Sequence, residues 1–587
     1  MAQNDLVIRV GGESGEGIVT TGEIFARIAA FSGLEVYTFR TYPAEILGGH
    51  VMLQVRLSDR PIYSQGDVLD VLVAFNQEGY DKHHQELCKE GVLIYDSSEI
   101  SLPDDGEQIR YPLPLTELAD EMGFRRGKNF VAIGAMVKLF GLPYETSQEI
   151  VRQRLGGKGE EMLRQNLAAL EAGYRYVEER IEKKDAYLLR IEGLEVKDRL
   201  VLSGNQAIAM GAIAAGCRFY AGYPITPATD IMEFLATHLP KMGGTVIQAE
   251  DEMAALSMVL GASFAGQRAM TATSGPGLSL MSELVGLASM AEVPAVIVDV
   301  QRAGPSTGMP TKTAQGDLYL ALHGSHDEGP RIVLAPTSVE DCFYQMVNAF
   351  NLAEKYQMPV IFLSDQSLSH RVETTPPFQL SEVEVMERLT PDLSEGTVYQ
   401  RYEYTETGVS PMALPGQAGG QYTAEGLEHL PSGAPNYDPE IHRAMMEKRF
   451  RKVRSAAQEM KEWGMVRRYG DPQPLVGLVG WGSTEGPVRE AVERAQERGL
   501  KVATLYPRVL KPLPEAEIRE FLAPLATVIV PEVNYTGQLA HLLQAHFRVQ
   551  TVPLNKYEGI PFTSAEVFEK IEEVYEELRL PVEEGVR

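Results

Sequence analysis

Cysteine is scarce in this sequence: Cys88, Cys217 and Cys342 are the only three in 587 residues, and no CxxC spacing occurs. A four-iron cluster takes four thiolates and a structural zinc takes four ligands, so neither is built from this chain alone. A disulfide framework is excluded as well, and each cysteine reads as a small buried side chain. Positive charge is also short. Against 81 Asp and Glu stand 54 Lys and Arg, a formal net charge of -27. That excludes nucleic acid as a partner, because phosphate backbones are held by clustered cations. The short basic run RFRKVRS at 449–455 reads as the solvated face of an amphipathic helix. No run of 18 apolar residues exists, so nothing is expected to span a membrane. The opening MAQNDLVIRV has neither a basic n-region nor an apolar h-region, and a cytoplasmic location is the expectation. A GxxxxGK[ST] phosphate loop is missing too, which argues against a nucleotide-dependent acyl-CoA ligase.

What remains is an ordinary folded composition, 44% hydrophobic and 23% charged. The chain is too long for one core, and several domains are expected. Residues 1–182 read as one α/β domain: the β run DLVIRV, the glycine turn GGESGEG, a helix, then VMLQVRL, VLDVLVAF and GVLIYD. GGESGEG is not the dinucleotide GxGxxG, and Glu35 is the nearest candidate for that motif's acidic partner. The turn, with Gly11, Gly12 and Ser14, reads either as an anion cradle of free amides or as pure structure. TYPAEILGGH, with Glu45 before a glycine pair, is likewise open between a site and a polar loop.

Residues 183–200 are charged and aperiodic, which suits a linker. From 201 to 375 strands and helices alternate regularly, the mark of a doubly wound parallel sheet. Residues 376–472 hold a Gly/Pro/Thr-dense stretch and a connecting helix; so long a loop is functional, reaches a partner, or is a disordered linker. Residues 473–587 return to βαβ alternation. The fold class expected is α/β with several doubly wound domains.

Around the stretch 221–317, four apolar runs (RFYAGY, which begins at 218, TVIQA, AMTAT and AVIVDV) each meet a turn rich in Gly, Pro, Ser or Thr. In an open parallel sheet such turns share the carboxyl edge, where ligands bind. One side chain from each turn can therefore converge: Thr226, Glu252, Ser274 and Arg302. Thr226 stands between two prolines that stiffen its backbone. Glu252 opens a helix of small apolar neighbours, where burial and the helix N-terminus pull a carboxyl pKa in opposite directions. Asp251 before it is a good N-cap. Arg302 suits a forked carboxylate, or an ion pair with Asp299 or Glu292.

The ordered set GYPITPATDI, QAEDEMAA, TSGPGLSLMSE, QRAGPSTGMPTKTAQGDL and MPVIFLSDQSL resembles the α subunits of 2-oxoacid:ferredoxin oxidoreductases over nearly the whole chain. The first domain looks like the family's γ domain fused in front, the second its thiamine-diphosphate-binding, pyrimidine-type domain, and the last its transketolase C-terminal-like domain. The resemblance implies that Glu252 contacts the aminopyrimidine of thiamine diphosphate. It also implies that Thr226, Arg302 and Thr307 contact substrate, and that Tyr223, Pro224, Ile225 and Ser274 line the cofactor. Coenzyme A docks near the family's γ domain, which places Gly11, Gly12, Ser14 and Glu45 in its vicinity. No GDG motif for a Mg²⁺-held diphosphate occurs, so no metal site is expected in this chain. Mg²⁺ and the four-iron cluster are expected in a β subunit, in an (αβ)₂ assembly with ferredoxin docking on β. The 2-oxoglutarate branch matches best; pyruvate or another 2-oxoacid, a lipoyl-linked thiamine dehydrogenase and a non-catalytic scaffold subunit are the alternatives.

Overall fold

The computed structural model describes residues 5–43, 48–102, 108–194, 198–394 and 398–579. Two compact units emerge, one of residues 1–202 with 370–377 and one of residues 203–369 with 378–587.

The first unit is organised on an eight-stranded sheet. Its order is Ile109–Leu113, Leu87–Asp96, Leu69–Ala74, Asp5–Glu13, His50–Ser58, Glu35–Thr41, Val372–Thr375 and Leu200–Ser203. The first four strands are parallel, while Asp5–Glu13, His50–Ser58, Glu35–Thr41 and Val372–Thr375 alternate in direction. Two glycines let the helices Lys128–Phe140 and Glu160–Arg180 meet backbone to backbone. A Cβ at Gly134 would lie 1.9 Å from the Leu170 carbonyl oxygen, and one at Gly173 would lie 1.9 Å from that of Val131.

Four expectations shift here. The boundary placed at 375 moves, because Val372–Thr375 joins the first sheet: Thr374 Oγ1 donates to Glu35 Oε2 at 2.6 Å, and Val372 N to Thr38 Oγ1 at 2.7 Å. Glu35, thus bonded and also paired with Arg199 at 3.0 Å, is a structural carboxylate. Within the expected linker, Leu189 is buried in the first core and its N–H bonds the Phe140 carbonyl. Cys217 and Cys342 are buried, whereas Cys88 is only partly so.

The second unit holds two sheets. The larger runs Val509–Lys511, Ile332–Leu334, Pro359–Asp365, Ala295–Gln301, Ala269–Thr273, Phe219–Gly222 and Thr245–Gln248. All are parallel except Val509–Lys511, an antiparallel edge strand lent by the C-terminal segment. Ala295–Gln301 and Pro359–Asp365 are buried along their whole length, as parallel strands covered on both faces must be. The smaller sheet runs Val466–Gly470, Val502–Pro507, Val476–Val479, Thr527–Glu532 and Thr551–Asn555, with only Val466–Gly470 antiparallel.

Among the described residues, 376–394 and 398–438 are irregular apart from a turn at Leu380–Glu382 and a bridge between His429 and Pro435, yet they are packed rather than loose. Arg388 pairs with Glu354 at 2.8 Å, and buried Arg401 donates to the Glu292 carbonyl at 2.7 Å. The helix Pro439–Met460 corrects the reading of the basic run. Lys448, Arg449 and Lys452 are buried, not solvated: Lys448 Nζ bonds both Glu292 carboxylate oxygens at 2.7 and 2.8 Å, Lys452 pairs with the same carboxylate, and Arg449 pairs with Glu428 at 2.6 Å. Burial alone would raise the Glu292 pKa, but Lys448, Lys452 and Arg401 hold it well below the usual carboxylate range. The helix thus clamps the irregular segment through charges that have left water only because they are paired.

Candidate active site

The larger sheet of the second unit has a switch point. From Phe219–Gly222 the chain steps outward to the edge strand Thr245–Gln248, then returns to Ala269–Thr273 on the other side. Crevices in parallel α/β sheets open at such points, beyond the carboxyl ends of the strands. The turns that meet there are Tyr223–Pro227, Asp251–Glu252, Ser274–Gly275 and Arg302.

Each side chain has a local cause. The YPITP turn is pinned by Asn205 Nδ2, which donates to the Pro227 carbonyl at 2.9 Å, and the Ile225 carbonyl accepts the N–H groups of Ala228 and Thr229. Tyr223 is left exposed, and Pro224, Ile225 and Thr226 are half-buried. Asp251 caps the next helix by accepting from Ala254 N at 2.7 Å, which starts that helix with Glu252 in its first turn. Glu252 is 5% exposed, and among the described residues no donor bonds its carboxylate. The space beside it depends on Gly277: a Cβ there would lie 2.0 Å from Thr273 Oγ1 and 2.7 Å from Glu252 Cγ. Ser274 is fully buried and its hydroxyl is unpartnered.

Arg302 leaves the end of Ala295–Gln301 and donates from one terminal nitrogen to the Thr226 carbonyl at 2.7 Å. Its Nε is buried without a partner. Burial lowers its pKa, and the fields of Asp317 and Glu252 oppose that shift. Arg302, Thr226 and Glu252 therefore do share one place. The alternative partners foreseen for Arg302 are otherwise engaged or unbonded: Glu292 binds Lys448 and Lys452, and both carboxylate oxygens of Asp299 are buried without any hydrogen bond. Thr307 sits apart, exposed on the tip of the hairpin that follows Arg302.

Of two further carboxyls at this site, the sequence reading named Asp299 only as an ion-pair partner for Arg302 and passed over Asp317. Asp299 is fully buried in its strand, and the Asp317 carboxyl lies against Gly275, where a Cβ would come within 2.5 Å of it. Burial, and then the neighbouring Asp317, push Asp299 well above the ordinary carboxyl range. Burial also pushes Asp317 up to about 6, against the pull of Arg302. Two such buried carboxyls do not ionise together cheaply, which is why the pair shifts upward. The signal was present in AVIVDV, where a charge interrupts an otherwise apolar buried strand.

In the first unit the glycine stretch is less open than the sequence suggested. Gly11, Gly12 and Glu13 are the end of the first strand, paired with Met52, Val51 and His50. Ser14 N bonds the Gly49 carbonyl. The turn is filled by its own Glu16, which accepts from Glu13 N at 2.7 Å, Asn76 Nδ2 at 2.8 Å and Lys128 Nζ at 3.1 Å. Glu45 lies outside the described residues. Among the described residues no three His, Cys, Asp or Glu side chains gather as metal ligands, and no helix is long and apolar enough to cross a membrane.

Against known proteins, three family models match in order: pyruvate ferredoxin/flavodoxin oxidoreductase over 7–176, pyruvate flavodoxin/ferredoxin oxidoreductase, thiamine diphosphate-binding, over 210–448, and pyruvate:ferredoxin oxidoreductase core domain II over 476–561. The chain is 34% identical to the 2-oxoglutarate oxidoreductase subunit KorA of Mycobacterium tuberculosis, over 96% of this chain and 90% of that one. It is 31% identical to the 2-oxoacid:ferredoxin oxidoreductase 2 subunit alpha of Aeropyrum pernix, over 99% and 100%. The chain belongs to the 2-oxoacid:ferredoxin oxidoreductase α-subunit family. A solved structure, the 2-oxoglutarate:ferredoxin oxidoreductase from Magnetococcus marinus with 2-oxoglutarate, coenzyme A and succinyl-CoA bound, superposes with a TM-score of 0.91 at 44% identity, covering 97% of this chain and 99% of that one. In this oxidoreductase subunit the thiamine-binding match spans the whole switch-point crevice, from Tyr223 to Asp317.

Proposed function

We propose that this chain is the α subunit of a 2-oxoglutarate:ferredoxin oxidoreductase. The pair it forms would convert 2-oxoglutarate and coenzyme A to succinyl-CoA and CO₂, passing two electrons to ferredoxin, or run the reverse carboxylation. The observation that carries this reading is the nearly end-to-end likeness to a protein whose structure holds 2-oxoglutarate, coenzyme A and succinyl-CoA.

The crevice fits a thiamine ring by its own chemistry. A buried carboxylate with no donor from the chain, a fully buried unpartnered serine hydroxyl and a glycine whose missing Cβ leaves room are what an uncharged heteroaromatic ligand needs. Glu252 and Ser274, with the Tyr223–Ile225 turn, would hold the pyrimidine side. When bound, thiamine diphosphate supplies the electron sink for decarboxylation. Glu252 holds or releases a proton at its carboxyl oxygen, and its burial keeps water from competing. Arg302, anchored on the Thr226 carbonyl, presents its remaining N–H groups to the substrate carboxylate. Thr226 and Thr307 are the neutral donors proposed to help, and Gly11, Gly12, Ser14 and Glu45 are retained as the coenzyme A vicinity.

Mg²⁺ and the four-iron cluster are assigned to a β subunit, since this sequence has no GDG and only three cysteines. An (αβ)₂ heterotetramer in the cytoplasm is the assembly proposed. Ferredoxin docking is assigned to β, because ferredoxins are usually acidic and this chain carries a net charge of -27. The second reading, a broader 2-oxoacid or pyruvate enzyme, is favoured by relatives named only for 2-oxoacids. The test is kcat/KM of the co-expressed α and β chains for 2-oxoglutarate and for pyruvate, read by succinyl-CoA or acetyl-CoA formation. A preference for 2-oxoglutarate is expected, and a preference for pyruvate contradicts the substrate assignment.

A further inference from the structure

The loop that carries Asp317 is held from the far end of the chain. Fully buried Gln315 donates its N–H to the Val533 carbonyl at 2.7 Å and its Nε2 to the Trp481 carbonyl at 2.8 Å. Its Oε1 accepts from Val533 N at 3.0 Å, and its carbonyl accepts from Asn534 Nδ2 at 3.0 Å. Gln538 brackets Asp317 itself, donating to the Gly316 carbonyl at 2.8 Å and accepting from Tyr319 N at 2.9 Å. Asp317 N is bonded to Gln301 Oε1 at 3.0 Å.

The carboxyl so held stands in the crevice wall. All three of its heavy atoms lie within 2.9 Å of where a Cβ on Gly275 would be, so it is pressed against the Ser274–Gly275 turn. Among the described residues no donor bonds it. Asp299 backs it: side chains two apart on a strand share a face, so Asp299 points to the side of Gln301, whose side chain holds Asp317. Both Asp299 oxygens are buried and unbonded. Of the other charges nearby, Asp365 is engaged by Thr313 Oγ1 at 3.3 Å and Leu368 N at 3.0 Å. Glu532 accepts from Leu539 N, Ala540 N, Trp481 Nε1 and Asn534 Nδ2. Arg302 is not so satisfied. It bonds a carbonyl rather than a carboxylate, its Nε is bare, and the acids whose fields act on it are Asp317 and Glu252.

We infer that Asp317 is the charge-balancing residue of Arg302: it offsets the guanidinium while the crevice is empty and takes a proton from solvent, with Asp299 as the buried carboxyl behind it, when the carboxylate of a 2-oxoacid replaces it as counter-charge. The inference rests on the proposed 2-oxoacid reading of the crevice. An oxoacid carboxylate and an ionised Asp317 compete for one cation in a site short of water, so the oxoacid binds best when Asp317 is protonated. Asp317 titrates at about 6, and oxoacid affinity therefore falls as pH rises past that value.

The test uses the purified α–β pair with wild-type, Asp317→Asn and Asp299→Asn α chains. KM for 2-oxoglutarate, 2-oxobutyrate and coenzyme A is measured from about pH 5.5 to about pH 8. In wild type, KM for both oxoacids is expected to rise with pH, by at most about tenfold per pH unit for one proton. Asp317→Asn should match wild type near pH 5.5 and bind both oxoacids roughly tenfold more tightly near pH 8, with KM for coenzyme A altered by less than about twofold throughout. Asp299→Asn, which takes away the second carboxyl, should move the rise to lower pH. A purely structural loss would change the ratio of variant to wild-type KM equally at every pH, and that result overturns the assignment. So does a wild-type oxoacid KM that is flat across the range, an equal shift for coenzyme A, or an Asp299→Asn profile that coincides with wild type. A wild-type pair that turns over neither oxoacid at any pH overturns the substrate reading itself, and the role of Asp317 with it.

Discussion

Glu252 carries the sharpest prediction at the scale of single residues. Its carboxylate is 5% exposed and unbonded by the chain, so exchanging it for an amide removes the proton-holding oxygen without adding volume. Glu252→Gln is expected to cut turnover of the α–β pair by roughly 10²- to 10⁴-fold, with an unchanged melting temperature. A drop in melting temperature that tracks the lost activity would reduce Glu252 to a packing residue. Asp317 gives a pH signature. Its pKa stands at about 6 in the fold against an ordinary 3.8. Below 3.8 both states are protonated and burial costs nothing; as pH climbs through about 6 the folded state alone must force a carboxyl to ionise, and stability falls. Asp317→Asn removes that penalty, so its melting temperature should gain on wild type between pH 4 and pH 7; a constant difference would rule the pair out as a titrating unit. Much of the site was legible because Thr226, Glu252, Ser274 and Arg302 stand where apolar runs end. Asp317 was not, and Asp299 only as a partner for Arg302, because their shared burial is brought about by the fold and has no sequence pattern.

Elements position those residues through glycines and one buried charge cluster. Gly277 is needed because the helix Gly275–Leu280 passes against Glu252. Gly277→Ala should push Glu252 aside and lower turnover at least tenfold while the pair still assembles; full activity would show that the helix can slide. The clamp of Lys448 and Lys452 on Glu292 is a second test. Glu292→Gln leaves two buried ammonium groups short of a counter-charge, at a cost of about 3–5 kcal/mol, measurable as a lower denaturation midpoint of the chain. The alternation of strands and helices was readable from periodicity, since parallel strands buried on both faces are continuous apolar runs. Two things were not. The basic run 449–455 has the spacing of a solvated face, and only the distant Glu292 and Glu428 draw it inward. Val372–Thr375 follows a strand of the larger sheet in sequence, yet long-range pairing with Glu35–Thr41 claims it for the first.

At the scale of the whole molecule, the account makes this chain one half of an enzyme. It contributes a buried carboxylate and an anchored arginine, and the proposal that the cluster and the diphosphate-bound metal lie on another chain rests on its three cysteines and the lack of a GDG motif. Full-length likeness to family members named as α subunits supports that division. The most direct measurement is viologen reduction with 2-oxoglutarate, coenzyme A, thiamine diphosphate and Mg²⁺, performed with this chain alone, with its β partner alone, and with both mixed. Turnover in the mixture and in neither chain alone is the predicted result. Turnover by this chain alone, or none by a stable mixture, would contradict the claim that the crevice between Thr226 and Asp317 is half of a shared site.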